Sequence, residues 1–153
     1  MKPLSITFTA LALGMSSFSV EAAETPLWLR DVKISPDGKE IAFTYKGDIY
    51  KVAAAGGVAK RLTTLDSYES NPVWSPDGKK IAFASTRFGG KDIFIMDSDG
   101  GSPVRLTFNS AAENPEGFTP DGENVLFSAA IQDPASSVMF PSGRLVELYE
   151  VPA

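Results

Sequence analysis

The chain has 153 residues and a formal net charge of −5, and it contains neither histidine nor cysteine. Those two absences exclude a Ser-His-Asp or Cys-His arrangement, an imidazole base, thiolate or His-based metal sites and any disulfide within this chain. The acidic balance favours solubility, and the scattered basic residues form no stripe of the kind that tracks a nucleic acid.

Residues Met1 to Ala22 carry one early Lys2, an apolar run from Ile6 to Met15 and Val20-Glu21-Ala22 before Ala23. This is the pattern of a secretory signal peptide over 1–22, with cleavage expected between Ala22 and Ala23. The apolar run is too short for a spanning anchor. No cysteine follows to take a lipid, so no membrane anchor is expected and the mature product should be periplasmic or secreted. Its stability must then come from burial. Residues 23–30 form a lead-in, in which Leu27, Trp28 and Leu29 are expected to pack simply against the first sheet rather than add a strand to it.

From Asp31 onward one unit recurs. In 31–64 it reads as the turn Ser35-Pro36-Asp37-Gly38, then Ile41-Ala42-Phe43, Asp48-Ile49-Tyr50 and Arg61-Leu62-Thr63. In 71–108 the turn is Ser75-Pro76-Asp77-Gly78, followed by Ile81-Ala82-Phe83-Ala84, Asp92-Ile93-Phe94 and Arg105-Leu106-Thr107. In 115–153 it is Thr119-Pro120-Asp121-Gly122, Val125-Leu126-Phe127 and Glu147-Leu148-Tyr149, with no fourth segment. The turns stand 40 and 44 residues apart, at Ser35, Ser75 and Thr119. Four strands in a repeat of this size is the dimension of a β-propeller blade.

The turn chemistry is explicit. Pro36, Pro76 and Pro120 pre-set φ for a type I turn. Asp37, Asp77 and Asp121 can take nearby backbone amides, and Gly38, Gly78 and Gly122 accept the left-handed conformation. Asp99-Gly100-Gly101 makes another hairpin turn, and Thr86 to Lys91 reads as a looser connection. In Ile81-Ala82-Phe83-Ala84 the bulky residues share one face, and in Ile93-Phe94-Ile95-Met96 both faces are apolar. A sheet buried on both faces is what a blade between neighbours requires. The expected fold is all-β: a partial propeller of three four-stranded antiparallel blades, the third incomplete, after the signal peptide. Polar linkers are expected at Leu65 to Ser70 and Asn109 to Asn114. Three blades would leave the outward faces of the first and third open, including members of the Ile41/Phe43 and Leu148/Val151 sets, and would leave the Leu148 strand as an open edge.

The third copy departs from the others between its second and third strands. Glu147 follows Asp92 by 55 residues, whereas Asp92 follows Asp48 by 44, so a hairpin is inserted over 129–146. Within it Gln132, Asp133, Met139 and Phe140 are candidate contacts at the mouth of a propeller channel. The plainer reading, which we favour, is that Met139 and Phe140 pack over a neighbouring blade.

Catalytic chemistry is not legible elsewhere. Asp37, Asp77 and Asp121 sit in equivalent turns of successive blades and read as turn residues rather than paired carboxylates. Asp97-Ser98-Asp99-Gly100 resembles the start of a calcium loop, but the closing position is Leu106. No phosphate-binding glycine loop is present, and no catalytic, metal or cofactor site is expected.

The repeat WSPDGKKIAFAS, followed by DIFIMDSDGG and RLT, resembles the propeller repeat of TolB-type proteins, tricorn-type peptidases and prolyl-oligopeptidase-like enzymes. With Pro26-Leu27-Trp28-Leu29-Arg30 and the blade-3 stretch AAIQDPASSVMFPSGRLVELYEVPA, it is similar to the N-terminal propeller of bacterial tricorn-type serine proteases. The resemblance covers nearly all of the mature chain. It implies a non-catalytic propeller that guides or filters peptides. Its partners would be peptides or proteins, together with the downstream blades and protease domain of an oligomeric parent. None of that family's catalytic positions exists here to be carried over. TolB-type scaffolds place an α/β domain before the propeller, for which the expected mature start leaves no room. A prolyl-oligopeptidase-like owner would show a GxSxG motif downstream.

Overall fold

The computed structural model describes residues 28–130 and 146–153. Three antiparallel sheets account for them. The first runs β1 (Arg30–Ile34), β2 (Glu40–Tyr45), β3 (Asp48–Ala53) and β4 (Lys60–Arg61) in that order. The second repeats it with β5 (Glu69–Trp74), β6 (Lys80–Phe88), β7 (Gly90–Asp97) and β8 (Val104–Arg105). The third has β9 (Glu113–Phe118), β10 (Asn124–Ala129) and β11 (Glu147–Pro152), with β10 central and β11 outermost among the described residues. These are the two full blades and the incomplete third that the repeat predicts.

The Pro-Asp-Gly turns are built alike. In the second blade Gly78 N–H donates to Ser75 O (2.9 Å) and Ser75 N–H to Lys80 O (3.0 Å). Ser75 Oγ donates to Asp77 Oδ1 (2.6 Å), which also accepts Lys79 N–H (3.0 Å). Ser35 and Asp37 repeat this in the first blade, and Thr119 and Asp121 in the third. These bonds to the ionised form, the hydroxyl bond foremost, hold the three exposed Asp carboxyls below the usual range. Gly78 has φ of 70°, and a Cβ there would meet Pro36 Cδ of the preceding blade at 3.8 Å. Gly122 stands to Pro76 in the same way, at 3.5 Å. Consecutive turns therefore touch, proline over glycine. Gly78→Val should lower stability by roughly 1–3 kcal/mol, since a β-branched residue is forced to positive φ. Unchanged thermal unfolding would show the turn to be tolerant.

Period-2 alternation divides the core into two layers. Ala42, Ile49 and Leu62 of the first blade pack against Ile81, Phe83, Phe94, Met96 and Trp74 of the second. Val73, Ala82, Ile93, Ile95 and Leu106 of the second pack against Val125, Phe127, Tyr149 and Val151 of the third. Each junction thus sets an Ala/Ile/Leu face of one blade against a face of the next that carries a stacked aromatic pair. In the second blade that pair is Phe83–Phe94 (centroids 6.0 Å apart), and in the third Phe127–Tyr149 (5.6 Å). The first blade carries the equivalent pair, Phe43–Tyr50 (5.7 Å), on the face turned away from its neighbour.

Several details differ from the sequence expectation. Thr86 to Lys91 is not a loose connection: β6 extends to Phe88 and pairs it with Gly90, leaving a tight turn at Gly89 (φ 93°). The polar stretches end early as linkers, because Glu69 and Ser70 already open β5, and Glu113 and Asn114 open β9. Val151 does not share the open face with Leu148. It pairs with Val125 and packs toward the second blade, whereas Leu148 pairs with Ser128 and is 64% exposed. Residues three apart on a strand cannot point the same way. Nor is the described part of the lead-in packed: Trp28 is 74% exposed and Leu29 43%.

Candidate functional site

Polar chemistry concentrates at the end of the blades that carries the β2–β3 and β6–β7 turns. In the first blade Asp48 opens β3 and Arg61 closes β4, with Arg61 Nη2 2.6 Å from Asp48 Oδ2. Thr63 completes a clasp: its Oγ1 accepts Ile49 N–H (3.0 Å) and donates to Asp48 Oδ1 (3.1 Å), while its carbonyl accepts Arg61 Nε–H (2.8 Å). The second blade rebuilds it from Asp92, Arg105 and Thr107. Thr107 Oγ1 accepts Ile93 N–H (2.8 Å) and its carbonyl accepts Arg105 Nε–H (2.8 Å). Here the Thr107 hydroxyl donates onward to Glu113 of the third blade rather than to Asp92.

Beside each clasp a buried glutamate opens the next blade, and the two differ in what surrounds them. Glu69 Oε1 accepts Ser67 Oγ–H (2.6 Å), Ser85 Oγ–H (2.7 Å) and Arg87 Nη2–H (3.1 Å). The guanidinium of Arg87 lies in turn over the Phe94 ring, 4.5 Å from its centroid. Glu113 occupies the equivalent register, opposite Ala129 as Glu69 is opposite Ser85. The positions matching Ser67 and Ser85 are Ala111 and Ala129, so two donors are gone. Asp92 is fully buried; Arg105 Nη2 lies 3.0 Å from its Oδ2 as an ion pair but out of line for a hydrogen bond, and among the described residues neither Asp92 oxygen has one. Burial pushes the Glu113 carboxyl above its ordinary range and Asp92 adds to this, while the Thr107 hydroxyl and Arg105 pull the other way. One junction balances Asp48 and Glu69 with Arg61 and Arg87. Among the described residues, the other sets Asp92 and Glu113 against Arg105.

At the opposite end, Lys51 is buried and bridges its own blade to the next, reaching Glu40 Oε1 (2.9 Å) and Asp99 Oδ1 (2.8 Å). Burial lowers its proton affinity, but these two carboxylates outweigh that and leave its pKa raised. Lys60 Nζ–H donates to Asp99 O (2.6 Å). The Asp99 hairpin turn is therefore also a clamp between blades.

These networks join blade to blade; among the described residues no group of three or more Asp or Glu is placed to hold a metal ion. Gln132, Asp133, Met139 and Phe140, the candidate mouth contacts, lie outside the described residues. The turn residues Pro36, Asp37, Gly38, Pro76, Asp77, Gly78, Pro120, Asp121 and Gly122 line up along one end, where the proline–glycine contacts link them. The sequence marked the Arg-Leu-Thr and Asp-Ile positions only as strand labels. Their constant separation of 13 residues, from Asp48 to Arg61 and from Asp92 to Arg105, was the available signal for the clasp.

Comparison with known proteins agrees with this architecture. A TolB homologue of Chlorobium luteolum is 39% identical over 57 residues, covering 37% of this chain and 13% of the relative. The solved structure of a putative TolB from Agrobacterium tumefaciens superposes with a TM-score of 0.59 at 26% identity, over 82% of this chain and 50% of that one. The tricorn protease structure superposes with a TM-score of 0.61 at 14% identity, over 81% of this chain and 13% of that one, which speaks for the fold alone. The chain spans half or less of each of these proteins. The profile of the tricorn protease N-terminal beta propeller domain matches residues 26–144, and the chain belongs to that family.

Proposed function

We propose that this chain forms the front of a longer, exported propeller protein of tricorn type, shaping the access of peptides or gripping a protein partner while bond cleavage takes place elsewhere in the parent. The observation that carries this reading is the pair of unlike open faces. Val32 and Ile34 are exposed on the outer side of the first blade, and Leu148 on the third. Apolar surfaces of this kind call for further blades, since closure covers both faces of every blade and propellers close with roughly four to eight. Residues 23–153 alone should therefore associate in a light-scattering concentration series, and adding the downstream blades should restore a monodisperse particle. A stable monomer that unfolds cooperatively would overturn the reading. The periplasmic or secreted location rests on the signal-like first 22 residues. A TolB-like periplasmic scaffold is the second reading, supported by the 26% identical TolB structure. The sequence beyond Ala153 separates them: more blades followed by a protease domain favour the first.

A further inference from the structure

The two joints between blades differ in their supply of hydrogens. A threonine hydroxyl has one hydrogen to give and two lone pairs to accept with. In the first joint Thr63 Oγ1 accepts the Ile49 N–H and gives its hydrogen to Asp48, while Glu69 is supplied separately by Ser67, Ser85 and Arg87. In the second joint Thr107 Oγ1 accepts the Ile93 N–H and gives its hydrogen to Glu113, and buried Asp92 is left without a hydrogen bond on either oxygen among the described residues. Ala111 and Ala129 stand where the serines stood, so one hydroxyl hydrogen serves two buried carboxylates. This joint is one hydrogen short.

We propose that a proton fills the gap: in the folded chain at neutral pH Glu113 is a neutral acid that donates to Thr107 Oγ1, and the Thr107 hydroxyl turns to Asp92 as that of Thr63 turns to Asp48. The hydrogen count then closes, because Thr107 Oγ1 accepts from Ile93 and Glu113 and donates to Asp92. The contact between Thr107 and Glu113 serves with the hydrogen on either oxygen. Among the described residues, the charged groups that act on Glu113 are Asp92 from β7 and Arg105 from β8, and Arg105 is itself paired with Asp92. Lys91 of β7 donates to Asn114 Oδ1 (2.7 Å), Asn71 of β5 donates to the same oxygen (3.1 Å), and Arg87 of β6 is taken up by Glu69 of β5. β10 meets Glu113 with Ala129, and beyond it the exposed Glu147 of β11 accepts the Tyr149 hydroxyl (3.0 Å). Burial works in the same direction, holding the Glu113 carboxyl above its ordinary range. As pH rises through that raised value the proton leaves to solvent, the Thr107 hydroxyl swings back to Glu113, and Asp92 keeps only its ion pair with Arg105. The joint between the second and third blades is then a pH-sensitive contact, weakened as pH rises, whatever protein the blades serve.

The test is infrared difference spectroscopy of the 153-residue chain against Glu113→Gln, which reads a protonated carboxyl directly whether or not the chain associates. The parent should show a carboxylic-acid band at neutral pH that converts to carboxylate only above the ordinary glutamate range, and its unfolding at neutral pH should release about one proton per chain more than that of Glu113→Gln. Asp92→Asn should abolish the band at neutral pH, because the single Thr107 hydrogen then suffices for an ionised Glu113. Ala111→Ser combined with Ala129→Ser, which restores the two missing donors without touching the clasp, should abolish it as well. Thr107→Val should shift the band toward that of an acid without an acceptor, and Thr107→Ser should leave it in place. The inference is overturned if the parent shows no acid band at neutral pH, if the band survives Asp92→Asn or the two added serines, which would mean that burial alone protonates Glu113, or if Thr107→Val leaves it unmoved.

Discussion

Glu69→Ala is expected to cost about 3–5 kcal/mol of folding stability, read as a shift in the urea midpoint at constant slope. The substitution removes the anion from a fully buried site and leaves Arg87, with a side chain 10% exposed, without its counter-charge. It also strands the hydroxyls of Ser67 and Ser85, which both donate to that carboxylate. A loss below about 1 kcal/mol would mean that water or another anion takes its place. The equivalent change one blade on should behave differently. Glu113 already carries a raised pKa from burial, so its ionised form opposes folding. The sign follows from linkage: Glu113 costs nothing below the ordinary glutamate pKa, its penalty grows as pH rises through the raised value, and it is complete above it. Glu113→Gln should therefore equal or exceed the parent in stability at neutral pH, with the advantage shrinking as pH falls from the raised value toward the ordinary glutamate pKa and gone below it. The lowered carboxyls of Asp37, Asp77, Asp99 and Asp121 act in the opposite sense at lower pH and are common to both proteins, so they cancel in the comparison. A Gln variant that is less stable at neutral pH would show that the Glu113 charge is held favourably.

Phe94→Ala should cost about 3–5 kcal/mol through lost burial and the cavity left behind. The ring is 2% exposed, stacks on Phe83 at 6.0 Å and on Phe88 at 6.1 Å, and lies under the Arg87 guanidinium. Its loss therefore also loosens the partner of Glu69, so Glu69→Ala and Phe94→Ala should be less than additive when combined. Ile34→Ala is the control: Ile34 is 61% exposed on the outer side of the first blade, and its truncation should fall within about 0.5 kcal/mol. Equal losses at Phe94 and Ile34 would mean that the chain buries its outer face in solution.

The blades, their turns and their two-sided burial were legible because each rests on local chemistry. Pro76-Asp77-Gly78 specifies a turn without reference to anything distant, and Ile81-Ala82-Phe83 against Ile93-Phe94-Ile95 declares two apolar faces by alternation. What escaped depends on pairs across blades. Lys51 reads as an ordinary strand-edge lysine until the Asp99 turn of the next blade is placed over it. Glu69 and Glu113 read as linker polarity because a buried acid is recognisable only by its partners, and Arg87 lies 18 residues from Glu69. Gly89-Gly90 suggested slackness, yet Gly89 merely supplies the positive φ that lets β6 and β7 run nearly to their tips. Leu148 and Val151 were grouped by hydrophobicity, when their spacing already separated their faces.

The unlike faces of each blade bear on how such a chain could lengthen. A blade that meets its follower with Ala82 and Ile93 and its predecessor with Phe83 and Phe94 carries both halves of one joint. Tandem duplication of such a gene segment would create a working joint at once, because the new copy's aromatic side meets the old copy's aliphatic side with no compensating substitution. The charged joints are less alike than the apolar ones: Ser67, Ser85 and Arg87 supply Glu69 with donors, whereas Ala111 and Ala129 stand at the matching positions beside Glu113, so a copied joint can keep its apolar fit while its buried acid changes partners.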